Sequence, residues 1–281
     1  MGARRLSVAV VGHVEWVRFA RVTHIPSAGE IIHAQNVFDE PAGGGAVAAV
    51  QLARLAGRAT LVTAFGDDEI EGRAVQRLGE LGVDVWSVTR DGPTRTGVSL
   101  VDDSRERTIT TFGERLHACA EDAEVDWAAL SEMDAIYFTA GDLGALQAAR
   151  GARVLVASAR TGEALGQGVP LDALVFSGDD SFERRAAEQA RAEAALMVST
   201  AGSHGGSYTS RSGASGSWAS TPPPGDPVDS YGCGDSFAAG LTYALGARLA
   251  IGEGLTLAAR CGAMCLTGSG PYTRQLTAAE I

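Results

Sequence analysis

The sequence contains no lysine, so all 23 of its basic residues are arginine. A Walker-type phosphate loop, the strand lysine of protein kinases and a lysine Schiff base each need a lysine, and all three are therefore excluded. Asparagine occurs once, at Asn36, outside any glycosylation motif. The cysteines Cys119, Cys233, Cys261 and Cys265 lack the spacing of a zinc site, which favours free thiols.

Long hydrophobic runs are also absent. No stretch approaches the roughly 18 consecutive apolar residues that a membrane-spanning helix needs. The apolar run after Arg4 and Arg5 stops before His13, which favours a buried strand over a secretion signal and predicts a cytoplasmic protein with reduced thiols. The net charge of −11 argues against nucleic acid or an anionic membrane as a partner, because both need a basic surface.

Short apolar runs alternate along the chain with segments of helical periodicity. The predicted strands are 8–11, 60–65, 135–139, 154–157, 174–176 and 196–200, with a hairpin over 203–220, and the predicted helices are 46–56, 69–81, 125–133, 143–150, 180–192, 236–249 and 254–266. This alternation predicts an α/β fold with a doubly wound, mostly parallel sheet and helices on both faces. Because no domain boundary is evident, residues 1–281 are predicted to form a single domain.

Two stretches interrupt the alternation. Residues 96–101 and 107–112 flank a polar turn and predict a hairpin. Residues 15–40 lack helical periodicity and contain a short extended run at 30–34. Together, residues 15–40 and 95–113 predict a small β-lid beside the main sheet, and this lid is also a candidate surface for a homodimer.

The segment with the clearest chemistry is D-S-Y-G-C-G-D at residues 229–235, just before a predicted helix. Gly232 and Gly234 allow a tight turn whose N–H groups, with those of the helix N-terminus, converge on one anion. A carboxylate at Asp235 would be unfavourable in a site that only binds an anion, because like charges repel. It is useful if Asp235 accepts a proton from a hydroxyl that attacks phosphorus. A glycine turn with an aspartate N-cap explains the same spacing without any catalytic role.

Residues 229–235 resemble the second signature of the ribokinase/PfkB family of carbohydrate kinases, D-T-x-G-[AG]-G-D, with Ser230 for Thr and Cys233 for Ala or Gly. Further stretches resemble the family in the same order. They are G-G-G and A-V-A-A-V-Q-L-A-R-L-A-G at 43–57, T-A-G-S-H-G-G at 200–206, and lid segments T-G-V at 96–98 and R-T-I at 107–109.

This resemblance implies an ATP- and Mg²⁺-dependent kinase that phosphorylates an alcohol group of a sugar or sugar-like molecule beneath a closing lid. It implies that Asp235 is the general base. The other implied roles are an anion hole at Gly232, Cys233 and Gly234, ATP binding at Thr200, Gly202 and Gly205, substrate binding at Gly43 and Gly44, and a monovalent-cation site, such as one for K⁺, near Asp229.

Several positions depart from the family pattern. Val47 replaces the usual substrate-binding Asn and Val17 the usual Asp, with Glu15 as a candidate substitute or, alternatively, a solvated lid residue. These valines predict a less polar substrate site and either a deoxygenated or otherwise substituted ligand or weak binding of ribose. Asp180 takes the place of the Glu in the family's metal-organising N-x-x-E motif. Asp142, after a predicted strand, is either a substrate contact or a helix N-cap.

Three alternatives stay open at this point. A nucleoside kinase of the same family would share these motifs, and so would a non-catalytic ligand-binding protein that retains the fold. The G-x-G-x-x-A pattern at 43–48 also fits a dinucleotide fingerprint, but a poor strand precedes it. Cys233 is either an activated thiol that faces the anion site or a packed thiol.

Overall fold

The computed structural model describes residues 5–105 and 107–281. The strands are β1 (Val8–Val11), β2 (Glu15–Arg21), β3 (Gln35–Ala42), β4 (Ala59–Gly66), β5 (Val83–Arg90), β6 (Thr96–Val101), β7 (Arg107–Phe112), β8 (Ala135–Phe138), β9 (Leu155–Ser158), β10 (Ala173–Ser177), β11 (Leu196–Thr200), β12 (Gly206–Ser210) and β13 (Ser215–Trp218). The α-helices are α1 (Gly43–Ala56), α2 (Ile70–Glu80), α3 (Leu143–Ala149), α4 (Ser181–Gln189), α5 (Cys233–Gly246) and α6 (Ile251–Cys265).

The large sheet has the strand order β13-β12-β11-β10-β9-β8-β1-β4-β5. All neighbouring strands from β11 to β5 are parallel, whereas β12 and β13 form the antiparallel hairpin predicted for residues 203–220. Because side chains alternate along a strand, Val8 and Val10 of β1 enter one core cluster and Ala9 and Val11 enter the other. Burial of both faces explains why β1 is an uninterrupted apolar run.

Helices cover both faces of this sheet. Buried side chains of α1, α2, α5 and α6 pack in the cluster that contains Val8, and those of α3 and α4 pack in the cluster that contains Ala9. The predicted fold class, a doubly wound and mostly parallel sheet, is therefore confirmed. No helix within the described part of the chain is long and apolar enough to cross a membrane.

The lid is a separate sheet with the order β3-β2-β6-β7. Its hairpin, β6 and β7, has the predicted bounds. The extended run expected at 30–34 is wrong, because the pairing of β3 with β2 starts at Gln35 opposite Arg21 and leaves Ile31 outside the sheet, 89% exposed. Since β2 follows β1 after three residues, the lid is attached at the carboxyl end of β1.

Other local predictions needed correction. The helix expected at 125–133 is only a 3₁₀ helix, Trp127–Glu132, in which Leu130 alone is buried, so one turn satisfies its packing. The sequence interpretation missed β5, an edge strand whose half-buried residues give no continuous apolar run. Helices α1 and α5 begin at Gly43 and Cys233, three residues earlier than predicted. The prediction started both helices late because their first turns contain glycines and other residues of low helix propensity.

Candidate active site

The N-termini of α1 and α5 meet at Asp235. Gly43 has a left-handed φ of +85° and its N–H donates to the Tyr231 hydroxyl at 3.1 Å, which ties the start of α1 to the loop before α5. A Cβ on Gly44 would lie only 2.9 Å from Oδ1 of Asp235. A side chain at position 44 would therefore displace the carboxylate, whereas glycine leaves room for it.

The same helix is fixed against the connection between β1 and β2. The Gly45 N–H donates to the carbonyl of His13 at 3.1 Å, and a Cβ on Gly45 would lie 2.6 Å from that oxygen. The backbone of α1 therefore packs directly on the segment that carries His13 and Glu15. These two side chains lie beside the start of α1 for this reason.

A buried carboxylate holds the loop before α5. Asp229 is 4% exposed, and its two oxygens accept N–H groups of Tyr231 at 2.8 Å and Gly270 at 3.0 Å. Gly232 has φ +80°, and a Cβ there would lie 2.7 Å from Cγ1 of Val47. Val47 has no exposed surface, so its side chain supports this turn from the core.

The first turn of α5 presents free backbone donors. Helix geometry leaves the N–H groups of Gly234 and Asp235 without a carbonyl partner from the preceding turn. Gly234 is exposed, and a Cβ on it would meet no protein atom within 4 Å. Packing therefore does not require glycine at position 234, whereas close approach of an anion to the backbone would.

Cys233 lies in the same turn, but its thiol is directed to the core. Its hydrogen bond with Cys265, together with burial, raises the pKa of the Cys233 thiol. The Cys265 thiol in turn lies 3.3 Å from the carbonyl of Tyr231. These contacts favour the packed thiol over the activated one, because a raised pKa keeps a thiol protonated.

Asp235 is half-buried among charged side chains. Burial is the main cause of its raised pKa, because the surrounding protein replaces most of the carboxylate's hydration. Arg160 and Arg107 lower the pKa of Asp235 in turn, and Glu183 raises it. We call the space between the lid sheet and the N-termini of α1 and α5 the cleft. Two cations act on the Asp235 carboxylate from different elements around it, since Arg160 follows β9 and Arg107 begins lid strand β7.

Arg160 also organises the acidic residues near α4. Its Nε donates to Glu183 at 2.5 Å, and its NH2 nitrogen lies 3.4 Å from Oδ2 of Asp180. Oδ1 of Asp180 caps α4 by accepting the N–H groups of Phe182 and Glu183. Within residues 5–105 and 107–281, no group of three or more His, Cys, Asp or Glu side chains could hold a metal ion by itself.

His13 and Glu15 line the other end of the cleft. Glu15 is 6% exposed, with Oε1 at 3.3 Å from Nε of Arg95 and at 3.6 Å from Nε2 of His13. Glu15 is therefore not a solvated lid residue. Burial raises its pKa, against the lowering effects of Arg95 and Arg115. Burial and the neighbouring arginines lower the pKa of His13 to about 3, so His13 is neutral at physiological pH.

The predicted nucleotide loop follows β11 at the same edge of the sheet. Thr200 ends β11, and its hydroxyl donates to the carbonyl of Phe176 at 3.3 Å. Gly202 is exposed, with φ +51° and no neighbour within 4 Å of a Cβ position. At Gly205, with φ +82°, a Cβ would lie 2.1 Å from the carbonyl of Trp218, so this glycine is required by the β12–β13 hairpin.

Comparison with known proteins identifies the family. A model of the pfkB family of carbohydrate kinases matches residues 5–173 and 171–278. The chain belongs to this family. The predicted family and enzyme class, a carbohydrate kinase, are thereby confirmed. A comparison with curated proteins gave no match.

Solved structures of low sequence identity share the fold of this kinase. Ribokinase from Thermotoga maritima is 20% identical with a TM-score of 0.77, covering 98% of this chain and 97% of its own. Arabidopsis thaliana ribokinase, complexed with ribose and ATP, is 17% identical with a TM-score of 0.75, covering 99% and 97%. A nucleoside kinase from Methanocaldococcus jannaschii is 14% identical with a TM-score of 0.73, also covering 99% and 97%.

The structure bears on two expectations for the kinase's substrate site. Asp142 caps α3, since its Oδ1 accepts N–H groups of Ala145 at 2.7 Å and Ala120 at 3.1 Å, and the N-cap alternative is confirmed. Val17 and Val47 are both fully buried, and the less polar substrate site stays a prediction.

The sequence interpretation gave no site role to six charged residues around Asp235 and Glu15, of which it named Arg107 only as part of a lid segment. They are His13, Arg95, Arg107, Arg115, Arg160 and Glu183. His13 could have been singled out, because it follows the first strand at a position where ligands gather in parallel sheets. The arginines belong to separate segments without a local motif, and only the sheet topology brings them together.

Proposed function

We propose that this kinase transfers the γ-phosphoryl group of ATP to a hydroxyl of a sugar-like acceptor, with Asp235 as general base. The observation that carries the proposal is the position of Asp235 at the meeting point of two helix N-termini, 2.9 Å from the Cβ position of Gly44. Family membership and the ribokinase fold support the reaction class. The Arabidopsis relative complexed with ribose and ATP supports both ligands.

The transfer is an in-line displacement. Asp235 takes the proton of the acceptor hydroxyl as its oxygen forms a bond to the γ-phosphorus. The bond from that phosphorus to the bridging oxygen breaks, and ADP leaves with the electron pair. The backbone of Gly232, Cys233 and Gly234 at the start of α5 forms the anion hole, in which the Gly234 N–H group, without a carbonyl partner from the preceding turn, stabilises the charge on the transferring group. Arg160 and Arg107 add two positive charges to the same region.

The binding roles follow the two ends of the cleft. We propose that Thr200, Gly202 and the Gly205 turn bind ATP at the end of β11. At the other end, Gly43 and Gly44 let the acceptor approach the backbone of α1, and Glu15 accepts hydrogen bonds from its hydroxyls. The lid then excludes water from the reacting groups.

Asp180 is the residue we propose to hold Mg²⁺, through bound water. The donor set fits, because Mg²⁺ prefers oxygen ligands and keeps several waters while it binds phosphate. Within the described residues, the one polar contact of Asp180 Oδ2 is the long 3.4 Å contact with Arg160, whereas Oδ1 caps α4. Bound Mg²⁺ would neutralise charge on the phosphate oxygens. The K⁺ site near Asp229 stays a prediction.

The proposal is tested by incubating the purified protein with Mg²⁺ and ATP and a panel of sugars, sugar phosphates, sugar acids and nucleosides. Mass spectrometry of the acceptors is expected to show a phosphorylated sugar-type product, with little ATP hydrolysis when no acceptor is present. The Asp235→Asn protein serves as the impaired control, and Asp126→Asn, at the cap of a remote 3₁₀ helix, as the unimpaired one.

Two results would contradict the proposal. Transfer to nucleosides alone would support the nucleoside kinase alternative. Tight binding of a panel member and of ATP without any product would support a non-catalytic protein with the kinase fold.

A further inference from the structure

The acceptor end of the cleft has more positive than negative charge. Arg95 precedes β6 and Arg115 follows β7, so both enter the cleft from the ends of the lid hairpin. Arg95 and Arg115 both act electrostatically on Glu15, whereas Arg160 and Arg107 act on Asp235. Arg95 and Arg115 are therefore the acceptor-end pair, whereas Arg160 acts on Asp235 and also on His13 and Arg115.

Glu15 cannot satisfy both cations at the acceptor end. It lies 3.3 Å from Nε of Arg95, and His13 beside it stays neutral. The Arg95 NH2 nitrogen donates to the Thr111 hydroxyl at 2.6 Å, but the Arg95 Nε is buried without a hydrogen-bond acceptor within the described residues. The carboxylate thus faces two guanidinium groups and has poor hydrogen-bond geometry with the nearer one.

Among the described residues, Arg115 forms no ion pair. It is half-buried, and its NH1 nitrogen donates to the backbone carbonyl of Arg160 at 3.0 Å. Its NH2 nitrogen lies over the following turn, 3.8 Å from the Cβ position of Gly162. No carboxylate in the described ranges lies within ion-pair distance of its guanidinium. Burial and the like charges of Arg95 and Arg160 lower the pKa of Arg115.

Such an arrangement is unfavourable for the free protein. A partly buried guanidinium beside two like charges loses hydration, and a hydrogen bond to a neutral carbonyl does not replace an ionic partner. The chain has 34 acidic residues and a net charge of −11, so acidic side chains that could pair with an arginine are abundant. A missing counter-ion inside a substrate cleft is therefore best supplied by the ligand, because an anion there would gain charge-assisted hydrogen bonds.

We propose that the acceptor carries a second, non-reacting anionic group, a phosphate or a carboxylate, which Arg115 binds together with Arg95. This inference rests on the proposed function and narrows its substrate class to sugar phosphates or sugar acids. The anionic group would lie at the lid end of the cleft, and the reacting hydroxyl would lie at Asp235.

The test compares matched acceptors that share one sugar skeleton: the neutral sugar, its terminal phosphate ester and its corresponding acid. We expect kcat/KM for at least one anionic member to exceed that of the neutral sugar by about 10- to 100-fold, the range of charge-assisted hydrogen bonds. The phosphate and acid arms distinguish the two sources of anionic oxygen. Equal kcat/KM values for all three members would overturn the inference and leave the kinase assignment intact.

Variants assign the effect to its residue. Arg115→Gln is expected to remove most of the anionic-to-neutral preference, and Arg115→Lys to retain part of it. Arg18→Gln, on the exposed side of the lid where Arg18 pairs with Asp39, is expected to keep the full preference. Circular dichroism and thermal melting check that each variant folds. An unchanged preference in Arg115→Gln would contradict the inference.

A binding measurement separates this inference from the proposed function. Without ATP, the anionic acceptors are expected to raise the melting temperature of the wild type more than the neutral sugar does, and the difference should disappear in Arg115→Gln. This result without phosphoryl transfer would sink the proposed function and keep the anion site. An absence of both binding and transfer for every anionic acceptor would overturn the anion site as well.

Discussion

At Gly234, the packing of the fold and the proposed anion site place different requirements on the side chain. It occupies the second position of α5, and no protein atom lies within 4 Å of its Cβ position. Its backbone lies outside the left-handed region, unlike that of Gly232, which has φ +80°. The fold would therefore accept alanine at position 234, whereas a phosphoryl group close to its N–H would not.

We accordingly expect Gly234→Ala to preserve or raise thermal stability, since alanine is favoured over glycine in helices by up to about 1 kcal/mol. The same change should lower kcat/KM by at least about tenfold, because the methyl group obstructs the anion hole. Gly252→Ala is the matched control: Gly252 is the second residue of α6 and its Cβ position is equally open. Steady-state kinetics that place both variants at wild-type activity would exclude an anion hole at Gly234.

The lid contributes charge to catalysis as well as cover. Its strand β7 begins at Arg107, which lies 5.5 Å from the ring centre of Tyr231 and lowers the pKa of Asp235 from across the cleft. The lid strands could be predicted from turn chemistry and alternation, but this electrostatic effect could not. It depends on how the lid sheet lies over the start of α5.

The pH dependence of the reaction tests this role of the lid. Asp235 must be deprotonated to act as a base, and burial raises its pKa, so kcat/KM should fall as the pH decreases through that raised pKa. Arg107→Gln removes a cation that favours the carboxylate, so the acidic limb should move to higher pH. The shift should stay below about one pH unit, because Arg107 is exposed and screened by solvent.

Arg18→Gln serves again as the control, because Arg18 pairs with Asp39 on the exposed side of the same lid. Its acidic limb should coincide with that of the wild type. An Arg107→Gln profile that is unmoved, or moved to lower pH, would show that the lid does not tune Asp235 during catalysis.

The whole molecule shows which features a sequence encodes locally. The central strands were predictable because each is a buried apolar run, and the glycine-rich turn with Asp235 was predictable because it is one contiguous motif. Edge strand β5 was not predicted, because its residues are mostly half-buried and do not form an apolar run. The acceptor-end residues Arg95 and Arg115 are far apart in sequence from His13, and only the chain topology brings them together.

Assembly stays a prediction at this scale. Exposed apolar side chains of the lid region support it as the candidate homodimer surface: Ile31, Val37, Ile109 and Phe112. The single-domain organisation predicted for residues 1–281 likewise stays a prediction.

The central claim is that Asp235 accepts the proton of the acceptor hydroxyl during phosphoryl transfer. Its most direct test is the single-turnover rate with enzyme in excess over ATP, because this rate reports chemistry without product release. Asp235→Asn should lower that rate by about 10²- to 10⁴-fold, the usual contribution of a general base, with ATP affinity within a few-fold of wild type. A single-turnover rate equal to that of the wild type would contradict the account.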